Sequence, residues 1–331
     1  MTIRLLLVVF LAVAMRISGV AQAPGSIVRL DPAMDAIVPA SANVEVIRDG
    51  FGFINGILWI REGRSGHLLV SDIPANMIHK WSPTSGWTIF LNRPDWTRVA
   101  EARPSNVRFG ANGIARDPQG RLVYAAEADR AVIRLEQDGK RTILAERYEG
   151  KRLNSPNDLV FRKDGGLYFT DPSGGNRFGT WDLKKELPYQ GVFLLKDGKL
   201  QLVIQDLDRP NGIVLSPDET SLYVNDSNKR VIMRYDVRPD GTVANGRLFA
   251  DMSMAKATGN PDGMKFDERG NLYSVGPGGI WVFTPAGTQI GLIVPPENAP
   301  GFAFGDPDRK ALYMAASSRL ARIRLNVAGA N

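Results

Sequence analysis

The sequence predicts an all-β protein, a six-bladed β-propeller, and the prediction rests on a repeat and on the composition. A short pattern recurs in which Asn or Asp is followed by Gly or Asp and then by an apolar strand. The leading residues are spaced 57, 45, 54 and 51 residues apart, which leaves room for four short strands per repeat. The chain has 34 Gly and 21 Pro among 331 residues, and this composition suits a turn-rich β-protein. Repeats of this size indicate blades arranged around an axis.

Each copy is predicted to begin with an inner strand and to continue outwards through hairpins. The inner strands start at Asn55, Asn112, Asn157, Asn211 and Asp262, and a degenerate sixth copy is Gly301–Phe304. Second strands are predicted at His67–Val70, Arg121–Tyr124, Gly166–Thr170, Ser221–Asn225, Asn271–Val275 and Ala311–Ala315. Third strands include Ala131–Leu135, Gly191–Leu195, Val231–Tyr235 and Ile280–Phe283. Clusters of Asp, Gly and Pro between these runs supply the turns.

The first residues of the chain have the layout of a secretory signal peptide. Arg4 precedes an apolar run at Leu5–Met15, which is too short to span a membrane, and small residues follow it. We therefore expect a signal peptide at 1–21, an N-terminal extension at 22–45 and the propeller at 46–331. The mature protein is expected to be periplasmic or secreted, without a membrane segment after cleavage.

The bulk composition excludes several kinds of function. The chain has no cysteine, so disulfides, thiol chemistry and cysteine-ligated metals are excluded. The formal net charge is only +6 and the basic residues are scattered, so no nucleic-acid partner is indicated.

The repeated Asn and Asp residues are candidates for a binding site. Equivalent positions on the inner strands of a propeller converge on the central channel, so these side chains are expected to ring one mouth. Their oxygen-rich chemistry suits a hard cation. The competing interpretation is that Asn-Gly is an ordinary turn, because Asn and Gly tolerate left-handed backbone. Asp158 replaces the Gly of the other copies, and it would either orient a ligand or close a turn.

A second set of acids ends the second strands: Asp72, Glu127, Asp171 and Asp226. We expect a structural role for them, since a carboxylate at this place can accept backbone N–H groups from neighbouring turns.

Three blocks of sequence carry a specific resemblance. They are Tyr148–Asp158 with Gly166–Pro172, Asp208–Asp218 with Leu222–Asp226, and Asn260–Met264 with Gly270–Tyr273. Together, and in this order, they resemble the senescence-marker-protein/gluconolactonase/luciferin-regenerating-enzyme-like family, and bacterial gluconolactonases in particular. The resemblance extends from about Gly50 to Leu325.

The resemblance implies a six-bladed propeller with one divalent cation at the channel mouth. Calcium is expected foremost, with zinc, manganese, magnesium or iron(II) as alternatives. By similarity, Asn157, Asn211 and Asp262 are metal-site positions, and Asp262 is also the proposed general base. The family's remaining ligand is a Glu in the first blade, where this chain has Asn55. That replacement removes one negative charge, so the site is expected to bind its cation more weakly or to prefer another ion.

The function expected from the resemblance is metal-dependent opening of a sugar lactone to its hydroxy acid. The substrate is thus a small cyclic ester, and Asn112, Asp158, Arg103 and Arg177 are candidates for contacting it. Two alternatives stay open because of Asn55. One is a different reaction on the same scaffold, such as phosphotriester hydrolysis or isomerisation of a cyclic substrate. The other is a propeller that binds a ligand or a protein without catalysis. The sequence does not determine the oligomeric state.

Overall fold

A computed structural model describes residues 23–94, 110–173 and 185–330 of the chain. The described residues are almost entirely β-structure, with a single 3₁₀ helix at Pro32–Ala36. No helix among them has the length and apolarity needed to cross a membrane.

The strands of these residues are numbered β1 to β27 in chain order. They are Ile27–Arg29, Glu45–Arg48, Ile54–Glu62, Ser65–Asp72, Met77–Ser82, Gly86–Asn92, Ala111–Arg116, Leu122–Ala126, Ala131–Leu135, Arg141–Ala145, Arg147–Tyr148, Lys151–Arg152, Leu159–Phe161, Leu167–Asp171, Gly191–Lys196, Lys199–Ile204, Pro210–Leu215, Ser221–Asp226, Val231–Val237, Val243–Asp251, Met264–Phe266, Leu272–Gly276, Gly279–Phe283, Gln289–Ile293, Gly301–Gly305, Ala311–Ala316 and Arg319–Arg324.

These strands form six antiparallel sheets, which are the six blades that the repeats predict. Blades 1 to 4 are β3–β6, β7–β10, β13–β16 and β17–β20. Blade 5 is β21–β24 with β1 added at its outer edge, and blade 6 is β25–β27 with β2 as its outer strand. A separate two-stranded hairpin, β11 and β12, lies between blades 2 and 3 in the chain. The prediction of an all-β, six-bladed propeller is confirmed.

The N-terminal residues lie against the last two blades. Ile27 pairs with Ile293 of blade 5, and Glu45 pairs with Arg322 of blade 6. Between these strands, the 3₁₀ helix buries Met34 completely in the core shared by blades 5 and 6. The chain's first strands therefore join its last blades, and β2 closes the ring.

Hydrophobic clusters fill the space between neighbouring blades. Between blades 1 and 2, for example, Leu69 and Ile78 pack with Ile114 and Tyr124. The second strand of each blade lies between two other strands and two other blades, which explains its continuous apolar sequence. Outermost strands such as β6 are largely exposed. This packing fixes the inner strands, and with them the channel mouth.

Candidate functional site

The inner strands of three blades carry a β-bulge at the same place. In blade 1, Ile54 pairs with Asp72 and Ile57 with Val70, so Asn55 and Gly56 together oppose the single residue Ser71. The register shifts identically around Asn112–Gly113 in blade 2 and Asn211–Gly212 in blade 4. A bulge redirects side chains and increases the local twist, and bulges are common beside functional sites. The repeated Asn therefore lies at a local break in each inner strand.

The glycines that follow these residues allow the inner strands to approach one another closely. A Cβ atom would lie 2.0 Å from the carbonyl oxygen of Asn112 if placed on Gly56, and 2.0 Å from that of Asp262 if placed on Gly212. On Gly301 it would lie 2.3 Å from the carbonyl oxygen of Asn55. Neither Gly56 nor Gly212 has a positive φ. Glycine is thus required by close packing around the channel, and the ordinary-turn interpretation of Asn-Gly does not describe these positions.

Side chains of the second strands hold the backbone of the next blade's site residue. Ser71 Oγ donates to the Asn112 carbonyl at 3.0 Å, and Thr170 Oγ1 donates to the Asn211 carbonyl at 2.7 Å. Asn225 makes the equivalent bond to Asp262 with its side-chain amide. Each bond joins adjacent blades directly at the channel mouth, so the relative positions of the site residues are set by inter-blade hydrogen bonds.

A cavity of about 30 Å³ lies where the inner strands meet. It is large enough for about one or two water molecules or a single ion. The candidate site residues that line it are Asn55, Asn112, Asn157, Asp158 and Asp262, together with Lys265. The structure therefore brings five predicted site residues around one cavity.

Asn211 does not line this cavity but is connected to its wall. Its Nδ2 donates to Ser227 Oγ at 3.0 Å, and the same hydroxyl donates to the carbonyl of Pro261, next to Asp262, at 2.7 Å. Asn211 is 6% exposed, and its Oδ1 has no hydrogen-bond partner in the described structure. An unpaired buried carbonyl costs about 1–3 kcal/mol, so this atom is suited to receive a ligand.

Asp158 occupies the place that glycine holds in the other inner strands. Its Oδ2 accepts the N–H of Ile213 in blade 4 at 3.2 Å, and its Oδ1 accepts the N–H of Leu159 at 2.9 Å. Burial raises the pKa of this carboxyl above its usual value, and the nearby Lys265 ammonium offsets only part of that rise. Asp158 therefore bridges blades 3 and 4 inside the channel. Arg103 and Arg177 lie outside the described residues.

The acids at the ends of the second strands anchor the segments that lead into the site. Asp72 accepts the N–H groups of Gly52 and Phe53 at 3.0 and 3.2 Å. In blade 3, Asp171 accepts the N–H groups of Asn154 and Ser155 at 2.7 and 2.8 Å. In blade 4, Asp226 accepts the N–H groups of Asp208 and Arg209 at 2.7 and 3.2 Å. In every case the donors lie three and two residues before the site Asn. The structural role predicted for these acids is confirmed, and burial raises the pKa of Asp171 to about 7.

Blade 2 corrects the prediction for the fourth acid. Ala126 pairs with Ala111, as Asp226 pairs with Pro210, so Ala126 is the true equivalent of the anchoring acids. Glu127 lies one residue further on, in register with Ser227. It accepts Asn112 Nδ2 at 2.7 Å through its Oε1. The sequence alone did not show that Glu127 is displaced by one residue, because blade 2 has Ala126 in place of an acid at the anchoring position.

Imidazole chemistry is not part of this cavity. The chain has only two histidines, His67 and His79, and neither is among the residues that line it. His79 packs edge-on against Phe51 and Trp87, and burial lowers its pKa. No three His, Cys, Asp or Glu side chains cluster in a metal-binding arrangement within residues 23–94, 110–173 and 185–330. The oxygen donors that line the cavity for a cation are therefore the amides of the Asn residues and the carboxyl groups of Asp158 and Asp262.

Comparison with known proteins places this architecture in a family. The family model described as the SMP-30/Gluconolactonase/LRE-like region matches residues 56–318. The chain belongs to this family. It is 38% identical over 322 residues to the gluconolactonase of Zymomonas mobilis, covering 92% of this chain and 87% of that protein. The family match confirms the resemblance inferred from the three sequence blocks.

Solved structures agree with this assignment. A gluconolactonase from Xanthomonas campestris superposes with a TM-score of 0.78 at 30% identity, covering 92% of this chain and 97% of that one. A calcium-binding protein, regucalcin, from Agrobacterium tumefaciens superposes with a TM-score of 0.67 at 19% identity, over 93% and 96% of the two chains. The second likeness concerns the fold alone.

Proposed function

We propose that the protein is an exported, metal-dependent hydrolase that opens a sugar lactone to its hydroxy acid. Membership of the gluconolactonase family and the Zymomonas and Xanthomonas relatives support sugar-lactone hydrolysis in general. The observation that carries the proposal for this chain is the convergence of Asn55, Asn112, Asn157 and Asp262 on one small cavity. Fixed amide oxygens together with the Asp262 carboxylate are suited to hold a hard cation beside a cyclic ester.

The donor set fits a divalent cation, with calcium as the first candidate. Asn157, Asn211 and Asp262 would hold the cation, with Asn55 in the place of the family's Glu. Two features support the fit: the Asn211 side-chain carbonyl oxygen, next to the cavity wall, is buried with no hydrogen-bond partner among the described residues, and the cavity lined by Asp262 is of ionic size. Magnesium, manganese and iron(II) rank behind calcium. Zinc ranks last, because it usually takes His or Cys ligands, which this cavity lacks.

The chemistry divides between the cation and the residues of the chain. When bound, the cation would polarise the lactone carbonyl and stabilise negative charge that develops on its oxygen. Asp262 is the general base: its carboxylate takes a proton from the water that adds to the lactone carbonyl and returns a proton to the ring oxygen as the acyl C–O bond breaks. General-base help of this kind contributes on the order of 10²–10⁴-fold. Asn112 offers its amide group to the lactone's ring substituents, while Asn157 stays with the cation. Asp158 is bonded to two backbone N–H groups, so it holds blades 3 and 4 in place at the cavity.

Asn55 distinguishes this chain from the family pattern. Relative to Glu, it keeps an oxygen donor but supplies no negative charge. A bound cation would therefore retain more of its own charge and act as a stronger Lewis acid, while its affinity would be lower. If the charge difference has instead changed the chemistry, a phosphotriester or an isomerisable cyclic substrate would be turned over in place of a lactone.

Proton release from a panel of aldonolactones tests the proposal. The mature protein should accelerate acid production above the spontaneous rate, and Asp262→Asn should lose at least about 100-fold of that acceleration. Asp240→Asn is the matched control, because Asp240 lies in an exposed hairpin turn away from the cavity and accepts the N–H and hydroxyl groups of Thr242. Equal rates for Asp262→Asn and the wild type would refute the assignment of the base. Turnover of a phosphotriester without lactone hydrolysis would favour the alternative chemistry.

Export is part of the same proposal and has a separate test. The full-length chain expressed in a Gram-negative host should be recovered from the periplasm with Gln22 as its first residue. Recovery of uncleaved protein from the cytoplasm would contradict it.

A further inference from the structure

The hydroxyl group of Ser227 links one proposed cation ligand, Asn211, to the residue that precedes another, Asp262. Ser227 is 4% exposed and directly follows β18, whose last residue is the anchoring acid Asp226. Among the described residues, its Oγ is within hydrogen-bond distance of the Asn211 side chain at 3.0 Å and of the Pro261 carbonyl at 2.7 Å. One atom therefore joins the inner strand of blade 4 to the residue preceding Asp262 in blade 5.

The direction of both hydrogen bonds is determined by chemistry. A serine hydroxyl has a single proton to donate, and a carbonyl oxygen can only accept. The proton of Ser227 is therefore committed to Pro261, and only lone pairs remain to face Asn211. The Asn211 atom at 3.0 Å must then be Nδ2, because an amide oxygen in that place would meet lone pairs with lone pairs. The side-chain amide, whose orientation is ordinarily ambiguous, has one solution here.

This orientation turns the other end of the amide away from Ser227. Asn211 Oδ1 is left buried and without a partner among the described residues. A reversed amide would present N–H groups at that place, and N–H groups repel a cation. The hydroxyl of Ser227 therefore determines whether Asn211 can serve as a ligand.

Blade 2 repeats the device with a different residue. Glu127, in register with Ser227, accepts Asn112 Nδ2 at 2.7 Å. An ionised carboxylate accepts and does not donate, so the Asn112 amide is fixed in the same sense. The register equivalents in blades 1 and 3 are Ile73 and Pro172, which offer no such acceptor in their side chains. Among the described residues, an oxygen acceptor at this place accompanies a held site amide in both blade 2 and blade 4.

We infer that Ser227 is a positioning residue, which aims the carbonyl oxygen of Asn211 at the proposed cation and ties it to the Asp262 segment. The inference rests on the proposed function, because it requires Asn211 to be a ligand. Residues that orient metal ligands typically contribute on the order of 10- to 100-fold in metal affinity or activity. Removal of the Ser227 hydroxyl should produce a loss of that size.

The test is a double-mutant cycle read out by calcium binding. Isothermal titration calorimetry with calcium chloride is performed on the metal-stripped wild type, Ser227→Ala, Asn211→Ala and the double variant. Ser227→Ala should weaken binding about 10- to 100-fold, and it should add little in the Asn211→Ala background because the hydroxyl acts through that amide. Ser227→Thr, which keeps the hydroxyl, should restore most of the affinity. Ser82→Ala is the matched control, since Ser82 is a buried serine that accepts the N–H of Ser85 in a blade 1 turn.

The outcomes separate the inference from the function on which it rests. If Asn211→Ala binds calcium weakly but Ser227→Ala binds within twofold of wild type, the cation site stands and the positioning role is refuted. An equal loss from Ser227→Ala in both backgrounds also refutes it, because the hydroxyl would then act elsewhere. If Asn211→Ala and Asp262→Ala both bind calcium as tightly as the wild type, the cation site itself is wrong and the inference falls with it.

Discussion

Replacing Asp226 by Ala should destabilise the propeller more than any exposed Asp substitution. Asp226 is completely buried and accepts four backbone N–H groups. Two come from the segment before Asn211, at 2.7 Å from Asp208 and 3.2 Å from Arg209. The other two come from the following turn, at 3.1 Å from both Asn228 and Lys229.

The expected magnitude follows from how many of these donors lose their only partner. Asn228 and Lys229 are exposed residues, so water can replace the carboxylate at their N–H groups. Asp208 is exposed as well, whereas Arg209 is half-buried and donates to the buried carboxylate at 3.2 Å. A hydrogen bond to a charged group contributes about 1.5–3 kcal/mol, so Asp226→Ala should lose about 2 kcal/mol.

Urea unfolding followed by tryptophan fluorescence measures this loss. Asp240→Ala is the control, because Asp240 is exposed and its bonds to the N–H and hydroxyl of Thr242 are local, so it should cost less than about 1 kcal/mol. If Asp226→Ala loses no more than Asp240→Ala, the acids at the strand ends do not anchor the site segments, and the reasoning is refuted.

Three further predictions address the channel, the buried acid and the departure at Asn55. Gly212→Ala should lower the stability by about 1–3 kcal/mol and should also slow lactone hydrolysis, because the added Cβ would lie 2.0 Å from the Asp262 carbonyl oxygen. An unchanged melting temperature would contradict this close approach. With a folded-state pKa of about 7, Asp171 keeps its proton at pH values where the unfolded chain has released it. From about pH 4 to 7 the free energy of unfolding should therefore fall as the pH rises, by up to about 1.4 kcal/mol per pH unit. Urea titrations at several pH values should show that Asp171→Asn lacks this part of the pH dependence. Asn55→Glu should tighten calcium binding by adding a carboxylate, and calorimetry showing equal or weaker binding would place residue 55 outside the cation site.

The fold was largely predictable because the repeat carries it. Strands such as Ala131–Leu135 and Ser221–Asp226 lie where the punctuation by Gly, Asp and Pro placed them. The closure of the ring was not predictable in the same way. Strand β2 pairs with β27, about 275 residues away in the chain, and no local pattern encodes such a partner.

The candidate site was predictable in outline but not in its hydrogen bonding. The same position in successive repeats is occupied by Asn55, Asn112, Asn157 and Asp262. This predicted that their side chains would meet, since equivalent positions of a propeller face the same channel. The bulges and the inter-blade contacts that make glycine necessary were not visible, because both depend on strand pairing. The role of Ser227 was missed for the same reason. No sequence pattern marks this residue, and its role follows only from its hydrogen bonds with Asn211 and Pro261 in the folded chain.

The most direct test of the account follows calcium occupancy and lactone opening in the same samples. Metal-stripped mature protein is titrated with calcium by calorimetry, and proton release from an aldonolactone is measured at each point of the titration. The account predicts one calcium site per chain, a rate that rises in proportion to its occupancy, and loss of both in Asp262→Ala. Full lactonase activity in the stripped protein, or calcium binding that survives Asp262→Ala, would contradict a cation held at this channel mouth as the basis of catalysis.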